Sequence, residues 1–134
     1  MIENVTSKSG FRTYQLPAIL WALLIFISSS IPSSLMPSLK IFDFDKAIHF
    51  GIYFLFSFLT YRALRFQSRW PLLARHALLG TVLLIILYGA SDEFHQYFVP
   101  GRQADVFDLM ADTLGAVVLV AGVWIWECMH PAPH

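Results

Sequence analysis

Four apolar stretches, each close to the length of a membrane crossing, limit the folds open to this chain more than any other feature. No charged residue lies between Thr13 and Leu39, and three further apolar segments follow. A helix needs about 20 predominantly apolar residues to cross a bilayer. The sequence therefore predicts an all-α polytopic membrane protein. Its four transmembrane helices, at about 16–31, 45–61, 71–96 and 105–126, would form one small bundle in a single domain of residues 1–134. A hydrophobic fraction of 57% favours this class over a soluble one.

The charged residues are divided between the two sides that four spans create. Six of the nine basic residues are assigned to one side of the membrane, before the first span or between the second and third, whereas seven of the nine acidic residues are assigned to the other side. Basic residues favour the cytoplasmic side, so both termini are predicted to be cytoplasmic. The first stretch has a second interpretation, a signal peptide, because Lys8 and Arg12 precede it and a run of serines follows it.

Five of the nine acidic residues fall within one segment, SDEFHQYFVPGRQADVFDLMAD, from Ser91 to Asp112. Only 16 residues separate Arg75 from Asp92, and only 14 separate Asp112 from Glu127, so helices of spanning length must include some of these acids. An Asp at the membrane centre costs roughly 2.5–3.5 kcal/mol, whereas each Leu or Val returns only about 0.3–0.6 kcal/mol. The acids are therefore expected to face the interior of the bundle.

Helical spacing assigns a polar seam to three of the four helices. The last span carries Asp105, Asp108, Asp112, Gly115, Leu119 and Gly122 on one stripe, on which the glycines would permit close helix approach. The second span carries Asp45, His49, Tyr53 and Ser57, and the third carries Thr81, Tyr88 and His95 with Ser91 and Asp92 beside them. The seams are richest at their outer ends, which predicts a polar pocket open to the outside. Between the last two spans, VPGR predicts a turn, with Pro-Gly suited to type II.

Two blocks, DKAIHFGIYFLFSFL and SDEFHQYFVPGRQADVFDLMADTLGA, resemble the VanZ-like family of small bacterial membrane proteins. The pattern associated with that family is Asp-Lys-x-x-His-Phe, then Asp-Glu-x-x-Gln-x-Phe-x-Pro-Gly-Arg, then Asp-x-x-x-Asn-x-x-Gly. The matching residues are Asp45, Lys46, His49, Phe50, Asp92, Glu93, Gln96, Phe98, Pro100, Gly101, Arg102, Asp108 and Gly115. Asp112 stands where the family commonly has Asn. The resemblance implies a location in the bacterial cytoplasmic (inner) membrane and, from the founding member, a link to low-level teicoplanin resistance.

The polar residues of these blocks form the candidate ligand-binding set: Asp45, Lys46, His49, Asp92, Glu93, Gln96, Arg102, Asp108 and Asp112. Within that region, His49, Glu93 and His95 are the candidate acid–base residues of an enzyme. A divalent cation held by His49, Glu93, His95, Asp108 and Asp112 is one hypothesis, and a hydrogen-bonded network that includes Lys46 and Arg102 is the other.

Two of these residues, Asp45 and Arg102, keep two interpretations each. Asp45 either orients His49 as a base or caps the second helix, while Lys46 pairs with an acid of the last one. Arg102 either clamps a phosphate or carboxylate of a ligand, or pairs with Asp105 or Glu93 to hold the turn.

Charge arithmetic indicates a functional environment. Six carboxylates of the outer region face only Lys46 and Arg102, a formal excess of four negative charges with neutral histidines. An unpaired buried ion costs several kcal/mol, so protonated carboxylates, cationic histidines or a bound cation are expected.

Two function classes stay open, and a net charge of zero argues against nucleic acid as a partner in either. One is a non-enzymatic envelope protein that binds an amphiphilic or glycan-linked ligand at the outer leaflet: a membrane lipid, a lipid-linked glycan or a lipoglycopeptide. The other is an intramembrane enzyme that acts on a lipid-linked glycan or a phospholipid.

Overall fold

A computed structural model describes residues 10–35 and 45–130, which are almost entirely helical. A π-helical turn, Phe11–Gln15, runs directly into α1, Leu16–Ser29, and a short 3-10 helix follows at Ser33–Leu35. The remaining helices are α2, Asp45–Arg65, a short α3, Pro71–Arg75, then α4, Ala77–Gln96, and α5, Val106–Met129. These described residues include no β-strand, which confirms the predicted all-α fold. Lys8 and Asp43, which entered the charge count, lie outside them.

Four helical segments are long and apolar enough to cross a membrane: Phe11–Ser29, Asp45–Arg65, Ala77–Gln96 and Val106–Met129. The large apolar side chains along α1 remain about half exposed, among them Ile19, Leu20, Leu23, Leu24 and Ile27. A soluble protein rarely leaves such a continuous apolar surface in water, whereas lipid covers it. The prediction of a polytopic membrane protein with four transmembrane helices is confirmed.

The helix ends differ from the predicted spans at the side where the arginines lie. The helix predicted over 71–96 is divided at His76, which leaves helical geometry with φ −106° and ψ 30°. In contrast, α2 continues past the predicted end at residue 61 to Arg65, and α5 continues to Met129. The guanidinium carbon of Arg62 lies 5.6 Å from the centre of the Phe58 ring. Because arginine stems lie along apolar surface, a helix need not end at its first charged residue.

The core of the bundle lies between α2, α4 and α5. α2 packs most extensively against α5, α4 contacts both, and α1 packs more lightly against α2 and α4. A Cβ atom added at Gly115 would lie 2.8 Å from the Phe50 carbonyl oxygen and 2.9 Å from the Phe54 amide nitrogen, so α5 meets the α2 backbone there. At Gly122 no neighbouring atom of the described residues lies within 4 Å of such a Cβ, and the close approach predicted at that glycine is wrong.

The helices alternate in direction, which separates the acidic from the basic residues. Gln15 Nε2 donates to the Ala63 carbonyl at 3.0 Å, and the Tyr61 hydroxyl donates to Glu127 at 2.9 Å. The start of α1 and the ends of α2 and α5 therefore share one end of the bundle, termed the basic end. At the opposite end, termed the acidic end, α1 and α4 finish at Ser29 and Gln96, and α2 and α5 begin at Asp45 and Val106.

Candidate functional site

The inward face of α4 carries two adjacent buried acids into the acidic end. The buried residues of this helix are Ala77, Thr81, Ile85, Gly89, Asp92, Glu93 and Gln96. His95, which was predicted to share a seam with Thr81, lies instead toward α1, and its Nε2 is 2.9 Å from Ser30 Oγ. Tyr88 lies between α1 and α2: its hydroxyl donates to the Ala22 carbonyl, and its ring centre is 5.0 Å from that of Phe56. A step of seven residues drifts by about 20° on a straight helix, so His95, two steps from Thr81, lies nearer the edge of the inner face than Tyr88 does.

Asp92 is satisfied by two side chains. Ser29 Oγ on α1 donates to its Oδ1 at 2.6 Å, and Gln96 Nε2 donates to its Oδ2 at 3.1 Å. The Asp92–Ser29 bond joins α4 to α1 inside the protein, because both residues are buried. Asp92 and Gln96 belong to the ligand-binding set that the sequence predicted. In the structure their side chains bond to other side chains of the protein.

Glu93 is only half satisfied. Its Oε2 accepts a hydrogen bond from the backbone N–H of Asp105 at 2.8 Å, which fixes the chain just before α5. Its Oε1 is buried and has no hydrogen-bond partner among the described residues. A buried acceptor without a partner is uncommon in native proteins, because it forfeits its hydration without replacement.

Lys46 joins α2 to the start of α5. Its ammonium group donates to Asp105 Oδ2 at 2.6 Å and to Asp108 Oδ1, and it lies 3.7 Å from the largely exposed Asp45. The hydrogen bond from Lys46, and a further one from the backbone N–H of Phe107, hold the pKa of Asp105 below its usual value. Two interpretations were given for the start of α2. The structure shows the one in which Lys46 pairs with acids at the start of the last helix.

His49 lies between two acids of α5. Its Nδ1 is 3.1 Å from Asp112 Oδ1, and its Nε2 is 3.8 Å from Asp108 Oδ2. Asp112 is 1% exposed. Its second oxygen, Oδ2, and the hydroxyl of the equally buried Tyr53 have no hydrogen-bond partner among the described residues.

Two groups of side chains place their ligand atoms within 4.8 Å of one another, close enough to converge on a cation. One consists of His49, Glu93 and Asp112, and the other of Asp45, His49 and Asp108. His95 belongs to neither, because its ring lies 4.7 Å from that of Phe26 and faces α1. The structure thus brings together four of the five residues proposed for a cation, in two overlapping groups, and leaves His95 apart.

Arg102 has a contact that neither sequence interpretation included. Its Nη2 donates to the Ser28 carbonyl at 3.0 Å and its Nε to the Ile31 carbonyl at 3.2 Å, so it caps the end of α1. The turn before it has the features of the predicted type II turn: Gly101 has φ 75°, and the Arg102 N–H donates to the Val99 carbonyl at 3.1 Å.

Sequence reasoning missed the α1 hydroxyls at this end. Ser29 and Ser30 follow an apolar run, and their only visible signal was a serine triplet. Which acid or histidine they face depends on how α1 packs on α4.

Sequence reasoning also missed a cavity of about 660 Å³ at the basic end. That cavity is lined by Tyr61, Arg65, Gln67, Ser68, Pro71, Ala74, Arg75, His76, Ala77, Leu78, Leu79 and Glu127. None of the predicted site residues lines it.

These features define a class: a four-helix membrane protein with a buried histidine–carboxylate cluster at one end of its bundle. The sequence profile of the family described as VanZ/LLP1 matches residues 11–127. The chain belongs to the VanZ/LLP1 family, as the two sequence blocks indicated. Neither a curated protein nor a solved structure matches it.

Proposed function

We propose that this protein binds the polar headgroup of an amphiphilic or glycan-linked ligand in the acidic end of its bundle. That end would face the outer leaflet of the bacterial cytoplasmic membrane. The observation that carries the proposal is three buried polar atoms without a hydrogen-bond partner among the described residues: Glu93 Oε1, Asp112 Oδ2 and the Tyr53 hydroxyl. Each such atom costs about 1–3 kcal/mol, and a ligand that supplies the missing hydrogen bonds recovers that energy.

The chemistry of the cluster favours ligands that donate hydrogen bonds. Both cations described at the acidic end are already engaged, Lys46 by Asp105 and Asp108 and Arg102 by two carbonyls of α1. Carboxylate oxygens without partners suit the hydroxyl groups of a sugar or an amine rather than a phosphate. A lipid-linked glycan and a lipoglycopeptide both offer such groups together with an apolar part.

An apolar groove accompanies the polar cluster. A cavity of about 390 Å³ on α5 is lined by Val106, Leu109, Met110, Thr113, Leu114 and Val117. It begins at the acidic end and continues for about three turns, or about 16 Å at 1.5 Å per residue. Tyr97 is strongly exposed at the same end, and tyrosine favours the membrane interface. An acyl chain in the groove would place its headgroup beside the cluster.

Binding to the purified protein in lipid nanodiscs tests this proposal, with teicoplanin and an undecaprenyl-linked disaccharide as the two probes. We expect Glu93→Gln to weaken binding of at least one probe about tenfold, since an acceptor of the cluster is exchanged. Glu127→Gln, which makes the same exchange at the basic end, is the matched control and should bind as the unmodified chain does. Equal affinity for all three proteins, or no binding of either probe, would overturn the proposal. A lower teicoplanin tolerance of cells carrying Glu93→Gln, at equal protein level, would extend it to lipoglycopeptide resistance.

One observation favours a second function, an intramembrane enzyme acting on a lipid-linked glycan or phospholipid. The buried Asp112 carboxylate lies 3.1 Å from His49 Nδ1, an arrangement in which a carboxylate orients an imidazole for proton transfer. Mass spectrometry of lipid extracts incubated with the protein distinguishes the two functions. An enzyme converts a lipid in a reaction that His49→Gln abolishes, whereas a binding protein leaves every lipid unchanged.

A further inference from the structure

We infer that His49, Glu93 and Asp112 form a binding site for one divalent transition-metal ion. The inference goes beyond the proposed function, because it names an inorganic component of the acidic end that a headgroup-binding protein does not require. It rests on the convergence of three ligand atoms from three different helices. His49 comes from α2, Glu93 from α4 and Asp112 from α5.

The distances fit an ion that would draw the three side chains slightly together. Their ligand atoms all lie within 4.8 Å of one another. In a tetrahedral site with bonds of about 2.0–2.2 Å, ligand atoms lie about 3.3–3.6 Å apart. Closing that gap requires side-chain movements of about 1 Å, without a shift of the helices.

Two unpartnered oxygens distinguish the group of His49, Glu93 and Asp112 from a cluster of acids that binds nothing. Glu93 and Asp112 are 7% and 1% exposed, and each has one oxygen with no hydrogen-bond partner among the described residues. Both oxygens are therefore buried acceptors that a cation would satisfy. With a divalent ion bound, the two carboxylate charges are balanced locally, which removes part of the charge excess.

The overlapping group of Asp45, His49 and Asp108 is a poorer site. The Lys46 ammonium group lies on Asp108 and 3.7 Å from Asp45, so a cation there would face an existing positive charge. Asp108 has a better role beside the metal. Its Oδ2 lies 3.8 Å from His49 Nε2, just beyond hydrogen-bond distance. It would accept the Nε2–H of a histidine whose Nδ1, now 3.1 Å from Asp112 Oδ1, binds the ion instead.

The ligand types define the class of ion. One imidazole nitrogen and two carboxylate oxygens suit Zn²⁺, Mn²⁺ or Fe²⁺ better than ions that require a cage of oxygens alone. Three protein ligands leave at least one coordination position open. A hydroxyl oxygen of a headgroup could occupy it. Asp112 Oδ2 and the Tyr53 ring both lie beside Gly89, 3.4 Å and 3.6 Å from a Cβ added there.

Asp112 supplies the sharpest variant. Asp112→Asn keeps an oxygen at nearly the same place but removes the charge, and it introduces the residue that the family commonly carries. We therefore expect a folded protein with at least tenfold weaker metal binding. Glu93→Gln makes the same exchange on α4, and Glu127→Gln, at the basic end, is the matched control. Asp45→Asn distinguishes the two groups, because it removes a ligand of the competing one only.

The experiment is metal binding by the full-length protein, purified in detergent and freed of metal with a chelator. Zn²⁺ is titrated and the bound ion counted by mass spectrometry, while Co²⁺ substitution gives a visible absorption spectrum that reports nitrogen and oxygen ligands. We expect about one equivalent of Zn²⁺, raised thermal stability in its presence, and unchanged Zn²⁺ binding in Glu127→Gln. Undiminished affinity in Asp112→Asn, loss of binding in Asp45→Asn, or no binding to the folded unmodified protein would each overturn the inference. If the chelated protein still binds teicoplanin or the lipid-linked disaccharide, the proposed function stands without the metal.

Discussion

The ammonium group of Lys46 lies 2.6 Å from the carboxylate of Asp105 and also donates to Asp108. Lys46 belongs to the first turn of α2, Asp105 caps α5 and Asp108 belongs to its first turn. One cation thus joins the two most extensively packed helices at the acidic end. The Lys46 side chain is 41% exposed and that of Asp108 only 11%. Leaving Asp108 without its partner should therefore cost more free energy of unfolding than leaving Lys46 without Asp108.

The bridge makes stability depend on pH through Asp105. The Lys46 hydrogen bond lowers the pKa of Asp105 in the folded protein relative to the unfolded chain. Its contribution is therefore fully present above the unfolded value of about 4 and is lost as pH falls through the lower folded value. Thermal unfolding in detergent from pH 6 to pH 3 measures this pH dependence of stability. The comparison protein is Asp105→Asn, whose side chain can still cap α5. We expect the stability difference between the two proteins to shrink below pH of about 4. A difference that stays constant over this range would contradict the bridge.

Removal of either partner of the half-buried Lys46–Asp108 pair should have unequal effects. Lys46→Met leaves the buried Asp108 carboxylate without its cation, which we expect to lower the free energy of unfolding by about 2 kcal/mol. Asp108→Asn leaves Lys46 half exposed and still bound to Asp105, which should cost about 1 kcal/mol or less. Chemical denaturation of both variants in the same detergent measures the two values. Equal losses, or a larger loss in Asp108→Asn, would show that Asp108 does not depend on Lys46.

Two glycines of α5 provide a matched pair for helix packing. Gly115→Ala would place a methyl group 2.8 Å from the Phe50 carbonyl and 2.9 Å from the Phe54 amide, so α2 and α5 must separate. We expect a loss of about 1–3 kcal/mol, as is typical of overpacking. Gly122→Ala enters open space and should stabilise the protein by up to about 1 kcal/mol through helix propensity. Thermal unfolding of both variants tests the prediction, which fails if the two alanines have effects of the same sign.

Orientation in the membrane remains a prediction of the charge distribution, and reporter fusions test it. Arginines cluster at the basic end, and basic residues favour the cytoplasm. Fusions after Arg69 and after Trp126 should therefore be cytoplasmic, and fusions after Pro37 and after Gly101 external. Pro37 lies outside the described residues but within the connection between α1 and α2. A cytoplasmic signal from the Gly101 fusion would place the acidic end inside the cell and exclude an outer-leaflet ligand.

The number of helices and the inward position of the acids could be predicted because both follow from the bilayer. A chain with apolar runs of spanning length must form helices, and acids within those runs must face one another. Asp108 and Asp112 are buried on α5 as their helical spacing indicated. The extension of α2 to Arg65 and the break at His76 were not predictable in this way, because arginine stems and local turns at the interface carry no apolar signal.

A contact between two helices could be predicted only where few possible partner residues lay within reach of a side chain. Lys46 faces the start of α5, where Asp105 and Asp108 are the acids within its reach. His95 has a less constrained position: helical spacing allows it toward either neighbour of α4, and it lies against Ser30 of α1. The partner of a polar side chain depends on the rotation of both helices, which a single sequence does not determine.

Arg102 shows how far a single contact can change the interpretation of a residue. Its guanidinium group donates to the carbonyls of Ser28 and Ile31, where the end of the α1 dipole also attracts positive charge. Arg102→Ala should lower the free energy of unfolding by about 2 kcal/mol, since two charged hydrogen bonds are lost. Arg102→Lys should recover less than half, because an ammonium group cannot reproduce the planar fork. Arg69→Ala, at the basic end, controls for the loss of an arginine. If Arg102→Ala instead weakens teicoplanin binding and leaves stability unchanged, Arg102 holds a ligand rather than α1.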